Sequence, residues 1–116
     1  MTIDRRQAIR DYKDTPRTMG VGCVRNVQTG AWLVFSGVDI PALVNRHRAQ
    51  LRLGAHRTRQ LQQEWQSFGE SAFTFDILDT LEPPKDAPDY DPAADLATLE
   101  KLWIDKLSSA GERYQR

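Results

Sequence analysis

The sequence predicts an α+β domain: a small three-stranded antiparallel sheet flanked by helices, with an extra helix at the N-terminus. Three observations carry this expectation. Val21 and Cys23, then Trp32 and Val34, alternate around Asn26-Val-Gln-Thr-Gly30, a stretch ending in glycine that suits a hairpin loop. Phe73, Phe75 and Ile77 alternate with Thr74 and Asp76, the period of a third strand. Around these runs, apolar residues return at helical spacing and are bounded by caps.

In chain order, residues 2–13 have helical propensity and stop short of Pro16, so they form an accessory helix packed through Ile3, Ile9 and Tyr12. This sets residues 1–17 apart as an extension and leaves 18–116 as the main domain. After the hairpin, Asp39 precedes Ile40-Pro41 and caps a helix that runs to Leu53, where Gly54 ends it. A second helix spans residues 58–67, with Leu61, Trp65 and Phe68 on one face, and Gly69 ends it. The third strand is followed by a proline-rich acidic loop over residues 82–91. Asp91 is the N-cap and Pro92 the first helical residue of a last helix carried by Leu96, Leu99, Trp103 and Leu107. There is no internal repeat.

A chain of 116 residues makes one domain with a core of ordinary size. Its single cysteine, Cys23, can form neither an internal disulfide nor a cysteine metal cluster, which fits a reducing, cytoplasmic setting. The N-terminus turns polar at once and no apolar run approaches the roughly 18 residues of a membrane span, so no membrane partner is expected. Net charge is zero, but residues 1–59 hold 11 of the 16 Lys and Arg against 4 of the 16 Asp and Glu. The balance is +7 in that half and −7 in the other, so a basic face toward an anion is compatible with neutrality.

Glu100 is the most informative single residue. At roughly 100° per residue, Leu96, Leu99, Trp103, Ile104 and Leu107 span one arc of the last helix, and Glu100 falls within it. A carboxylate pointing at a core requires a partner: a divalent ion completed by waters and phosphate, a structural ion pair, or the edge of a cleft. His47 sits similarly inside the arc of Ile40, Leu43, Val44 and Leu51, and His56 follows nine residues later. Those two histidines do not have a metal-ligand spacing, and a lone histidine on an apolar face reads as a hydrogen-bonded core residue or as a catalyst. Arg46, Arg48, Arg52, Arg57 and Arg59 fall within fourteen residues that contain no acid, a pattern of either a solvated face or a phosphate-backbone contact. Arg48 and Arg52 lie opposite His47 on the helix. Trp65 and Trp103 keep register with leucines and read as core. The sequence has no glycine-rich phosphate loop; the pair in Gly20-Val-Gly22 lies in a strand.

Taken together, the hairpin, Asn45-Arg46-His47-Arg48, Gly54-Ala55-His56, Leu61-Gln62-Gln63-Glu64-Trp65, Gly69 with Phe73-Thr-Phe75, and Leu99-Glu100-Lys-Leu-Trp103-Ile104 resemble a small single-domain GIY-YIG protein. The resemblance covers about residues 18–115. It implies a phosphodiester hydrolase in which a glutamate holds one divalent metal, a tyrosine activates water and an arginine steadies the phosphate. Glu100 matches the metal-binding glutamate, which implies Mg²⁺ or Mn²⁺ there, and His47 and His56 match the family histidines. Elsewhere the match fails. Gly22 and Leu33 stand in place of the two motif tyrosines, Phe35 in place of the second motif's glycine, and Leu43 in place of the phosphate-binding arginine. Tyr114-Gln115 occupies the place of a Tyr-Asn pair.

Losing a positioned base removes roughly 10²–10⁴-fold in rate, and losing one electrostatic contact to the phosphate roughly 10²–10³-fold. Three readings follow. The first is a catalytically degenerate GIY-YIG-like domain that binds a nucleic acid such as DNA, or a protein partner, through its retained surface, its old site now packed or apolar. The second is an active metal-dependent DNA endonuclease with relocated groups, His47 as base and Arg25 or Arg46 as clamp. The third is a protein-interaction or homodimerisation module using the acidic proline-rich loop.

Overall fold

In a computed structural model that describes residues 18–114, β1 (Met19–Asn26) and β2 (Trp32–Gly37) form an antiparallel hairpin, and β3 (Phe73–Leu81) pairs antiparallel with the other side of β1. The strand order is β2-β1-β3. Three helices complete the domain: α1 (Ile40–Leu53), α2 (Arg59–Phe68) and α3 (Ala93–Leu107). The α+β class, the three-stranded sheet and the flanking helices are as the sequence predicts. The helix expected over residues 2–13 and the domain boundary at residue 17 lie outside the described residues.

The caps explain where the helices begin and end. The Asp39 carboxylate accepts the Ala42 N–H at 3.3 Å, and Gly54, at φ 75°, ends α1 in the left-handed conformation that glycine adopts without Cβ strain. At α3 the expected cap shifts by one residue. Pro92 occupies the N-cap position itself, while the Asp91 carboxylate still accepts the Ala93 N–H at 3.0 Å. Both residues serve the helix start, one position earlier than their spacing predicts.

Both faces of the sheet are covered. On one, Val24, Leu33 and Phe35 pack under α1 and α2 through Ile40, Val44, Leu51, Leu61 and Trp65. On the other, Val21, Cys23, Trp32 and Val34 pack under α3 through Leu99, Trp103, Ile104 and Leu107. Consequently Trp32 through Phe35 form a continuous buried run instead of an alternating one, as strands covered on both faces do. Trp65 is core as predicted; Trp103 is half-buried and its indole N–H donates to Asp79 Oδ2 at 3.2 Å.

Two polar arrangements hold the layers. Asn26, fully buried, accepts the Gln28 and Thr29 N–H groups to close the hairpin and donates to Glu64 Oε1 at 3.0 Å. The Tyr114 hydroxyl donates to that same oxygen at 2.6 Å, tying the tail to α2; burial and the Glu64 acceptor push its pKa up. Between α1 and α2, buried Gln62 donates to the Leu51 carbonyl at 3.0 Å and accepts the His56 N–H at 2.9 Å. One amide thus fixes the connection that carries His56. The His56 ring in turn accepts the Thr58 N–H at 3.1 Å.

Packing around Gly22 is tight. Gly22 and Phe35 are cross-strand partners, and a Cβ at position 22 would stand 2.6 Å from Phe35 Cε2 and 3.1 Å from Ile40 Cδ1. Gly22→Ala is therefore expected to cost about 1–3 kcal/mol in urea unfolding, as overpacked core positions do. Combined with Phe35→Leu, the loss should be smaller than the sum of the two single losses; strict additivity would refute the clash.

Stability should also depend on His56. Burial, and secondarily the Arg57 charge, hold its pKa below the ordinary value of 6.5. Below that value the unfolded chain takes up a proton that the folded chain resists, so stability is full above pH about 6.5 and falls as pH is lowered through the interval beneath it. Thermal unfolding from pH 7.5 to 5 should show this fall, and His56→Asn should flatten part of it. An unchanged pH profile in the variant would remove His56 as its source.

Candidate functional site

α1 and α3 lie on opposite faces of the sheet, yet their site residues meet beside the edge strand β2. A cleft of about 370 Å³ opens there. Its lining contains Glu100 from α3, His47 and Arg46 from α1, and His56 and Arg57 from the connection to α2. Residues more than fifty positions apart are thus brought to one place.

The two histidines are joined directly, with His47 Nδ1 2.8 Å from His56 Nε2. Phe35 stacks on His47 with ring centroids 4.1 Å apart and planes at 24°. His56 is buried and His47 half-buried. These are hydrogen-bonded imidazoles at the wall of an open cleft.

Glu100 is half-buried, and its Oε2 accepts the Ser36 hydroxyl at 3.1 Å. The carboxylate expected on the apolar arc therefore sits at a cleft edge with a neutral donor. Among the described residues no group of three or more His, Cys, Asp or Glu side chains is placed to hold a metal ion. A single hard carboxylate suits Mg²⁺ or Mn²⁺ only where waters and a substrate phosphate complete the coordination.

The arginine run divides. Arg46 and Arg57 line the cleft and are exposed. Arg52 instead makes a two-pronged ion pair with Glu70, at 2.6 and 2.9 Å, on the exposed surface. Arg48 lies over the Phe75 ring at 4.7 Å from its centroid. Arg59 begins α2 as an exposed residue outside the cleft lining. Arg25 shares the sheet face of its cross-strand partner Trp32, under α3, and does not line the cleft.

Leu33, Phe35 and Leu43 form a wall of this cleft. Gly22 lies beneath, where the Phe35 ring occupies the space a side chain would need. The cleft is neither filled nor wholly apolar, because charged and imidazole groups face that wall. Ser36, Gln50 and Thr58 also line it and have no signal in the sequence beyond their neighbours, although Gln50 follows Arg46 by one helical turn. Cys23 lies in the α3-side core, and burial pushes its thiol up to about 11, which rules out a thiolate nucleophile near neutral pH.

No family model matches the chain, and no curated protein does. Among solved structures, the catalytic domain of homing endonuclease I-TevI is similar, with a TM-score of 0.64 and 24% identity over 84% of this chain and 99% of that one. A mutant form of the same domain gives a TM-score of 0.62 and 24% identity, covering 82% and 91% of the two chains. The three-stranded antiparallel sheet with three helices agrees with this likeness: the chain has a GIY-YIG-like fold.

Proposed function

We propose that this is a nucleic-acid-binding domain built on a nuclease fold and stripped of the groups needed for fast hydrolysis. The observation that carries the reading is the composition of one cleft. Arg46 and Arg57 stand at it as exposed cations, whereas Leu33, Phe35 and Leu43 occupy positions where the family resemblance calls for a proton acceptor, an open backbone and a phosphate clamp. Gly22 and Leu33 have no atom that accepts a proton, and Leu43 has none that donates to phosphate. A guanidinium at the cleft still offers paired N–H donors to phosphate oxygens without them.

Residual metal-dependent hydrolysis is a second reading, favoured by Glu100 and both histidines lining the same cleft. Glu100 would hold Mg²⁺ or Mn²⁺, whose chemistry is to neutralise charge on the phosphate. The chain's own contribution would be to orient the ligand through Arg46 and Arg57.

Binding of DNA and RNA measured across a salt series tests the first reading. Affinity should fall linearly on logarithmic axes, and Arg46→Ala and Arg57→Ala should each reduce the slope by roughly one. Arg52→Ala should leave it unchanged, since that side chain is engaged by Glu70. No binding at about 50 mM salt, or binding indifferent to salt, would sink the proposal.

For the second reading, plasmid and hairpin DNA incubated with Mg²⁺ or Mn²⁺ is the assay. Any cleavage should disappear in Glu100→Ala. Cleavage that survives this change does not come from the site.

A further inference from the structure

Thr58 stands at the N-cap of α2 without capping it: its side chain makes no hydrogen bond to the helix. A threonine there ordinarily accepts the N–H two or three residues on, here that of Gln60 or Leu61. Thr58 is 1% exposed, and its hydroxyl has no hydrogen-bond partner among the described residues. Every fully buried side-chain oxygen of those residues has a partner, so the unpaired hydroxyl is the part of Thr58 that reaches the cleft it lines. Such a group is costly to leave unsatisfied unless a ligand completes it. The helix backbone repeats the pattern. Its first main-chain bond runs from the Gln62 N–H to the Thr58 carbonyl at 3.0 Å, and the Thr58 N–H is taken by His56 Nδ1. Among the described residues the N–H groups of Arg59, Gln60 and Leu61 have no acceptor, and Arg59 and Gln60 are exposed.

The charges here have the sign an anion needs. A helix N-terminus carries about half a positive charge and is stabilised by acids in its first turn. α2 has none there, and Arg57 and Arg59 flank Thr58 instead. We propose that the start of α2 is an oxyanion site for one phosphate group, held by the main-chain N–H groups of Arg59 and Gln60, the Thr58 hydroxyl and the Arg57 guanidinium. The inference deepens the nucleic-acid reading of the cleft and rests on it for the source of the phosphate. Aligned N–H groups at a helix start recognise phosphate oxygens by direction as well as by charge. The Thr58 N–H bond to His56 and the His56 N–H bond to Gln62 fix the chain's path into the helix, so the donors are in place before a ligand arrives.

Amide ¹H–¹⁵N spectra of the ¹⁵N-labelled protein, titrated with inorganic phosphate against sodium chloride of equal ionic strength, read the site directly. The Arg59 and Gln60 resonances should move most and saturate. A short DNA duplex with 5′-hydroxyl ends, then the same duplex with 5′-phosphates, separates the sources: movement with the first puts an internal phosphodiester on the site, and movement with the second alone puts a terminal phosphate there. Silence at both amides in every arm would overturn the proposal. If phosphate moves them while no DNA or RNA binds, the oxyanion site stands and the nucleic-acid reading falls; salt-dependent nucleic-acid binding that leaves them unmoved does the reverse. Two variants separate the site from helix capping. Thr58→Val keeps the branched shape and should weaken phosphate binding roughly tenfold, the worth of one hydrogen bond to a charged group, without lowering the urea midpoint. A lowered midpoint in phosphate-free buffer would make the hydroxyl a cap and overturn its place in the site. Arg59→Pro deletes a main-chain N–H where a proline ring is tolerated, and the extended backbone of Thr58, at φ −85° and ψ 98°, suits the residue before a proline. It should bind phosphate roughly tenfold more weakly than Arg59→Ala, which loses the side chain alone. Equal affinities of these two variants would overturn the main-chain role.

Discussion

Burial of β2 on both faces is the constraint on which the rest of the domain depends. A sheet of three strands has too little area to hide its apolar residues under one layer, and here Trp32, Leu33, Val34 and Phe35 are each no more than 3% exposed. Leu33 and Phe35 need α1 and α2; Trp32 and Val34 need α3. Helices assigned to opposite faces can meet only around an edge, and β2 is an edge strand. The cleft is therefore a consequence of core packing: covering β2 twice brings His47 and Glu100 around the same strand. The tail reinforces that strand at its other end, where the Trp32 N–H donates to the Glu112 carbonyl and the Tyr114 N–H to the Trp32 carbonyl.

Within that frame, Gly22 and Phe35 act as one unit. They are directly opposed in the β1/β2 register, and the Phe35 ring reaches to 2.6 Å from where a Cβ on residue 22 would lie. Position 22 is glycine where position 35 carries a ring, so the two fill one shared volume, and cores tolerate conserved volume far better than net gain or loss. The phenylalanine ring brings no hydroxyl to the cleft and stacks on His47. Packing responds to volume, whereas proton transfer requires a particular atom.

How much was legible in the sequence follows the same division. Asp39 and Gly54 announce the limits of α1 because capping is local, and the five-residue turn and the period of β3 are local as well. Local patterns alone could not reveal that Ser36 would meet Glu100, that Gln62 would bind the Leu51 carbonyl, or that Asn26 and Tyr114 would share one oxygen of Glu64. Each of these bonds spans eleven or more positions and depends on the layers being assembled. The arginine run shows the limit most clearly. Five cations in fourteen residues look like a single patch, but a helix turns between them. Arg46 and Arg57 reach the cleft, Arg52 is held by Glu70 and Arg48 by the Phe75 ring.

The charge that remains at the cleft has a further consequence. Glu100 faces the same space as Arg46 and Arg57, so a phosphate drawn in by the arginines meets a carboxylate. At about 4 Å and an effective dielectric constant near 20, two like unit charges repel by roughly 4 kcal/mol, comparable to what one arginine contact at that separation supplies. Ser36 donates one neutral hydrogen bond to Glu100 and cancels none of its charge. A phosphate backbone can then settle over the arginine rim, away from Glu100, or approach Glu100 with a divalent cation between them. In the first geometry salt screens the contact and no metal is required; in the second the cation couples phosphate and carboxylate, and affinity rises with its concentration. On the proposed reading, Glu100 sets how deeply an anion enters, whether or not the cleft performs chemistry.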